Sequence, residues 1–81
     1  METISIDGAQ VAVKEVARPQ GWDCRLLETV EGHEYILGYL VSVGPYKIDV
    51  ERFHRLTELQ TERYKAGHLQ LASLARELAD E

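Results

Sequence analysis

A single cysteine is the first side chain to consider for chemistry, and its surroundings do not favour catalysis. Cys24 lies between Asp23 and Arg25, whereas a reactive cysteine needs a neighbouring base and an electropositive environment that stabilises its thiolate. In a segment with strand-like alternation, cysteine usually serves as a small buried hydrophobic residue. We therefore predict no catalytic residues and a protein that is not an enzyme.

The three histidines do not have the spacing of a metal site. His33, His54 and His68 form no HxxxH pair, and no cysteine–histidine cluster supplies the ligands of a structural zinc site. Glu51 precedes His54 by three residues, as in one half of a carboxylate-bridged di-metal site, but such a site needs several more inward-facing carboxylates. We predict that the protein binds no metal and no cofactor.

Three glutamates flank a predicted turn at Glu31-Gly32, namely Glu28, Glu31 and Glu34. General acid–base catalysis needs two carboxyl groups that face one substrate across a cleft, whereas carboxylates beside a tight turn usually form a solvated rim. Residues 23–34 hold four acids and one arginine, a net charge of −3. We predict that this acidic rim binds the basic surface of another protein.

Two aromatic residues next to turn residues, Trp22 and Tyr46, are the predicted anchors of that interface. Aromatic side chains are the usual anchors of protein–protein contacts. Trp22 follows Gly21, and Tyr46 follows Gly44-Pro45, so neither is expected in the middle of a packed strand.

An arginine stripe, Arg52, Arg55 and Arg63, supports an alternative function as a nucleic-acid-binding regulator. The chain carries a formal net charge of −5, which is the wrong sign for a general nucleic-acid binder. Nucleic acid is therefore the less favoured partner. A second alternative is a small-molecule-binding or enzymatic domain with a site between sheet and helix.

Length and composition indicate one small domain over residues 1–81, with 28% charged and 44% hydrophobic residues. The longest apolar stretch, residues 35–43, is too short to span a bilayer, and the N-terminus does not resemble a signal peptide. With a single cysteine the chain forms no internal disulfide. We predict a cytoplasmic protein without a membrane partner.

The residues of the first half alternate with a period of two, which predicts a four-stranded antiparallel β-meander over residues 2–44. Asp7-Gly8 is a favoured type I′ turn pair. Gly32, Gly38 and Gly44 are six residues apart, too widely spaced for a phosphate-binding loop. Gly38 within a strand predicts a bulge or a close backbone approach. The strand around Gly38 is apolar on both faces, so it needs a cover on each side.

The second half has helical spacing, which predicts one long helix over residues 49–79. Asp49 is the expected N-cap, and Ile48 and Phe53 are the expected hydrophobic staple. Because the apolar stripe keeps its phase across Gly67, a bend there is favoured over a break; two helices hinged at residues 66–68 are the alternative. A straight helix would extend beyond its own sheet, so we predict a homodimer formed through Leu71, Leu74 and Leu78.

The predicted fold is therefore α+β, a four-stranded antiparallel meander followed by one long C-terminal helix. The predicted function is that of a small acidic, non-enzymatic protein-binding module, a regulator or inhibitor that acts by surface complementarity. Stand-alone domains of this size and charge are common among inhibitors encoded by phages and mobile elements.

Overall fold

A computed structural model describes residues 2–18 and 24–79 and shows an α+β fold with an antiparallel sheet. The elements in chain order are β1 (Glu2–Ile6), β2 (Ala9–Ala17), β3 (Cys24–Thr29), β4 (Tyr35–Val43), β5 (Ile48–Arg55), α1 (Glu58–Lys65) and α2 (Leu71–Ala79). The strands lie in the sheet in chain order, each antiparallel to the next, so β1 and β5 are the two edges. The α+β class and the meander are confirmed, but there are five strands rather than four.

The predicted turn between β1 and β2 is confirmed. Asp7 and Gly8 both have positive φ angles, 53° and 78°, as a type I′ turn requires. Ile6 pairs directly with Ala9, so the loop has two residues.

The segment predicted as the start of a helix is instead strand β5. Gly44 and Lys47 adopt positive φ angles in the turn before it, and every residue from Ile48 to Arg55 pairs with β4. Asp49 is therefore not a helix N-cap; its Oδ1 accepts a hydrogen bond of 2.9 Å from Ser42 Oγ on the neighbouring strand. The pairing satisfies backbone groups along the whole length of β4, which a helix in the same place would leave open.

The prediction of one long helix is also wrong. The structure has two helices, one on either side of residues 66–68, which confirms the alternative. α1 begins at a capping box, in which Thr57 Oγ1 accepts from Gln60 N and Gln60 Oε1 accepts from Thr57 N. It ends at Gly67, whose φ is +80°. His68 N donates to Arg63 O and Gly67 N to Tyr64 O, which is a Schellman motif. The chain then turns back, and α2 packs on β3 and β4.

The two faces of the sheet are buried in different ways. The helix face packs under α2 in a core of Cys24, Leu26, Leu37, Leu56, Leu71, Leu74 and Ala75. The other face, here called the arginine face because it carries Arg25, has a core of Ile4, Ile6, Val13, Leu27 and Ile36. Both described helices belong to the helix face, so the strands must curl over the second core. A register shift between Glu15 and Ala17 is the kind of bulge that increases strand bending.

α1 and α2 contain only eight and nine residues. Within residues 2–18 and 24–79, no helix has the length and apolar character needed to cross a membrane.

Candidate functional site

The structure places the predicted partner-binding residues at opposite ends of the sheet. Glu28, Glu31 and Glu34 lie at the turn between β3 and β4, whereas Tyr46 lies in the turn between β4 and β5. The nine residues of β4 separate the two turns, a distance of roughly 30 Å for an extended strand. Trp22 lies outside the described residues. The acidic rim and Tyr46 therefore do not form one continuous surface.

Most of the acidic rim has cationic partners within the chain. Glu28 forms an ion pair with Lys14, with Nζ 3.3 Å from Oε1, and its side chain is only 17% exposed. Glu34 forms an ion pair with Arg55. The buried Thr29 holds the turn, because its Oγ1 accepts a 2.9 Å hydrogen bond from Glu34 N. Glu31 is exposed, so it is the rim carboxylate that faces water most freely.

The leucines assigned to a dimer interface lie mainly inside the chain's own core. Leu71 and Leu74 are each only 8% exposed beneath the sheet, and Leu78 packs against the same cluster. The overhanging helix from which the dimer was inferred does not exist. The homodimer therefore stays a prediction. Light scattering on the unaltered chain tests it.

The three arginines of the predicted stripe do not share a helix. Arg52 and Arg55 lie on β5, three residues apart and thus on opposite faces of the sheet. Arg63 is on α1. Arg55 is already paired with Glu34. The structure does not bring these side chains together as one basic surface.

Arg25 is the centre of an ion cluster that sequence analysis did not find. Its guanidinium donates to both carboxylate oxygens of Glu2 at 2.6 Å and to those of Glu51 at 2.8 and 2.9 Å. Glu15 lies at the margin, 3.9 Å away. Glu2 is on edge strand β1 and Glu51 on edge strand β5, so the guanidinium links the two edges of the sheet across the arginine face. Glu2 and Glu51 lie 23 and 26 residues from Arg25 in the sequence, so no short sequence pattern predicts these ion pairs.

The cluster shifts the titration of its members in the directions that ion pairing requires. Hydrogen bonds from Arg25 hold the pKa of Glu2 below its ordinary value. The pKa of Glu15 is also lowered, chiefly by its hydrogen bond from Arg18. Hydrogen bonds to Glu2 and Glu51 raise the pKa of Arg25. Because its donors are occupied by carboxylates, Arg25 acts as a structural link and is not placed to hold an anion.

Gly38 makes room for this cluster, and its close neighbours are side chains rather than the backbone predicted there. A Cβ at this position would lie 2.8 Å from Glu51 Oε2 and 3.3 Å from a ring carbon of Phe53. Gly38 pairs with Arg25 on one side and with Phe53 on the other. The absence of a side chain thus lets the Arg25–Glu51 pair lie against the sheet.

Two of the described side chains with nucleophilic or metal-binding chemistry, Cys24 and His54, have different surroundings. Cys24 is buried in the core beneath α2. His54 Nε2 lies 3.0 Å from Gln60 Oε1 and so connects β5 to α1. In the part of the chain that the structure describes, no three His, Cys, Asp or Glu side chains are grouped to hold a metal ion.

Among the described residues, the most exposed large apolar side chains, Tyr46 and Ile48, lie on the far part of the β4–β5 hairpin, residues 40–51, here called the distal ribbon. The last residue of β4 that pairs with β3 is Tyr39, opposite Cys24, and beyond it β4 and β5 pair with each other. Val41 is opposite Val50 and Val43 is opposite Ile48, all on the helix face by alternation from Leu37 and Tyr39. Tyr46 at the turn is 86% exposed, and Ile48 is 62% exposed.

Tyr46 was identified from the sequence, but the neighbouring strip of aliphatic side chains on β4 and β5 was not. The alternation of Ile48 and Val50 shortly after Gly44-Pro45 could have indicated an apolar strand there. The prediction of a helix over residues 49–79 concealed it. Comparison with protein-family models, curated proteins and solved structures gives no match. The distal ribbon combines an exposed aromatic side chain, Tyr46, with exposed aliphatic side chains, Ile48 and Val50.

Proposed function

We propose that the chain is a non-enzymatic protein-binding module that captures a partner protein through the helix face of its distal ribbon. The observation that carries the proposal is the exposure of Ile48 next to Val41, Val43 and Val50 on one face of a two-stranded ribbon, with Tyr46 exposed in the turn at its end. Exposed aliphatic side chains in a continuous strip are costly in water, and covering one such side chain contributes about 1.5–3 kcal/mol.

The proposal moves the centre of the partner site from the acidic rim to the ribbon. Tyr46 keeps its predicted role as an anchor, since a rigid aromatic side chain loses little conformational freedom on binding. Glu28 and Glu34 are ion-paired within the chain and contribute less net charge than the sequence suggests. The module acts as a regulator or inhibitor by occupying a surface of its partner, and we place it in the cytoplasm.

An affinity pull-down from host lysate tests the proposal when it compares two matched variants. Ile48→Thr removes apolar surface from the ribbon, while Leu59→Thr does the same on α1, where Leu59 is 60% exposed. We expect a stoichiometric partner that survives nuclease treatment with the unaltered chain and with Leu59→Thr, and that is lost with Ile48→Thr.

Two results would contradict the proposal. Equal capture by Ile48→Thr and the unaltered chain would show that the ribbon is not the contact surface. Nucleic acid in the eluate, detected by its ultraviolet absorbance, together with a partner lost on nuclease treatment, would favour the nucleic-acid alternative.

A further inference from the structure

The outer side of strand β5 offers backbone hydrogen-bonding groups in a regular pattern. In an antiparallel pair, residues bond the neighbouring strand at every second position. Leu56 N donates to Tyr35 O at 2.9 Å, and the register pairs Ile36 with Arg55 next to it. Even-numbered residues of β5 therefore bond β4, and the N–H and C=O groups of odd-numbered residues point away from the sheet.

These outward groups belong to Asp49, Glu51, Phe53 and Arg55. β5 is the last strand of the sheet, and among the described strands β4 alone pairs with it. An extended peptide is the ligand whose donors and acceptors match such an edge, because its own backbone repeats with the same spacing.

The side chains on the two faces of β5 define what such a peptide must carry. Ile48 and Val50 lie on the helix face beside Tyr46, with Arg52 as the next residue on that face. Asp49 and Glu51 lie on the arginine face together with Glu2 and Glu15. Arg25 and Arg18, which pair with three of these four carboxylates, offset part of the negative charge there. Aliphatic side chains fit the first face, and basic side chains fit the second.

We propose that β5 accepts an extended segment of a partner protein as a sixth, antiparallel strand, and that the segment alternates aliphatic and basic residues. The inference rests on the proposed function and specifies its partner. The aliphatic side chains cover the exposed strip on the helix face, while the basic side chains lie opposite Asp49 and Glu51. Arg52 disfavours the reversed arrangement, since it repels basic side chains on the helix face.

A second copy of the chain fits the ribbon end of β5 less well. Two β5 strands paired antiparallel about Val50 place Asp49 opposite Glu51 of the other copy. Pairing about Glu51 places two carboxylates opposite each other. Like charges directly opposite in a sheet are destabilising, so these two registers, centred on the ribbon, are disfavoured for a second copy.

The probe for this proposal is an acetylated, amidated peptide that alternates lysine and valine, titrated by calorimetry. In antiparallel addition the lysines lie opposite Asp49 and Glu51, and their N–H groups bond β5. We expect N-methylation of the lysines to abolish binding and N-methylation of the valines to be tolerated. A scrambled peptide of equal charge controls for general electrostatic attraction and is expected to bind at least about tenfold more weakly.

A pair of variants tests the same bond from the side of the protein. Asp49→Pro removes the outward N–H of residue 49 without removing a bond to β4, and proline is tolerated on an edge strand when its nitrogen faces away from the sheet. Asp49→Ala loses the same carboxylate and keeps the N–H. We expect Asp49→Pro to bind the peptide at least about tenfold more weakly than Asp49→Ala; should Asp49→Pro not fold, the N-methylated peptides decide.

The outcomes separate strand addition from the proposed function. Equal binding of both N-methylated peptides, or of the scrambled peptide, or no binding at about 1 mM, would overturn strand addition. If N-methylation of the valines abolishes peptide binding and N-methylation of the lysines does not, the antiparallel arrangement is overturned. If partner capture from lysate still depends on Ile48 in those cases, the proposed function stands without this inference. If capture does not depend on Ile48, the proposed function itself fails.

Discussion

The β4–β5 hairpin has two halves of similar composition and opposite exposure. Its base, residues 35–39 with 52–55, lies between the two cores, and Ile36 and Leu37 are fully buried. Its distal ribbon exposes Tyr46, Ile48 and Val50. Both halves are rich in aliphatic and aromatic residues, so composition does not explain the difference. Among the described strands, β3 starts at Cys24 opposite Tyr39, and its described pairing with β4 ends where the ribbon begins. Apolar residues in the base lie in the cores, whereas those in the ribbon are exposed to solvent.

Leu37→Ala tests the base at its most buried point and is expected to have the largest effect. Leu37 is inaccessible to solvent and lies in the core beneath α2. Truncation leaves a cavity, and we expect the free energy of unfolding to fall by about 2–5 kcal/mol in denaturant titrations. Leu37→Met, which nearly conserves volume, is the control and should cost less than about 1.5 kcal/mol. A loss in Leu37→Ala no larger than in this control would contradict the assignment of Leu37 to the core.

Gly38→Ala tests the close contact between the base and the Arg25 cluster. The added methyl group would lie 2.8 Å from Glu51 Oε2, so the carboxylate must move away from Arg25. We expect a loss of about 1–3 kcal/mol in the free energy of unfolding. Gly32→Ala is the matched control, because its nearest neighbour would be at an ordinary 3.4 Å. Similar stability of the two variants would show that the contact at Gly38 is relaxed without cost.

Arg25→Met tests whether the ion cluster holds the two edge strands together. The expected result is a change in the pH dependence of folding stability. Because Arg25 lowers the pKa of Glu2 in the folded chain, the stabilisation is complete above the ordinary value of 4.5 and is lost as the pH falls through the folded pKa. The unaltered chain should therefore lose stability on acidification more steeply than Arg25→Met. At neutral pH the variant should be less stable by about 1–2 kcal/mol.

Thermal unfolding followed by circular dichroism across this acidic range measures both quantities. Lys14→Met, which removes a cation from the opposite face, serves as the control. Parallel stability curves for the unaltered chain and Arg25→Met would show that the cluster does not contribute to folding.

Ile48→Ala tests the distal ribbon and is expected to have the smallest effect on folding. With 62% of its surface already exposed, truncation of Ile48 should change the free energy of unfolding by no more than about 0.5 kcal/mol. Denaturant titration beside Leu37→Ala gives the direct comparison between the two halves. A loss in Ile48→Ala of the size expected for the base would mean that the ribbon stabilises the fold and is not held available for a partner.

Local sequence patterns predicted much of the sheet because its turns and alternation depend on neighbouring residues. Asp7-Gly8 was recognised from the positive φ angles that such turns need, and the strand around Gly38 from period-two alternation. Tyr46 was expected outside the packed strands because it follows Gly44-Pro45, and it is exposed. These features are determined by backbone sterics within a few residues, and the structure agrees with each of them.

Other features were decided by contacts between distant parts of the chain. Residues 48–55 suit both a helix start and a strand, since Asp49 is a good N-cap and Ile48 and Val50 alternate; pairing with β4 decided for the strand. The apolar phase continues across Gly67, yet the Schellman turn there ends the helix, and burial of Leu71 and Leu74 under the sheet favours the reversal. The partners of Arg25 and the exposure of the distal ribbon depend on which strands lie side by side. The sequence by itself thus determined the local conformations, and tertiary pairing determined which apolar and charged side chains are buried, because burial is a property of the neighbours that a fold brings together.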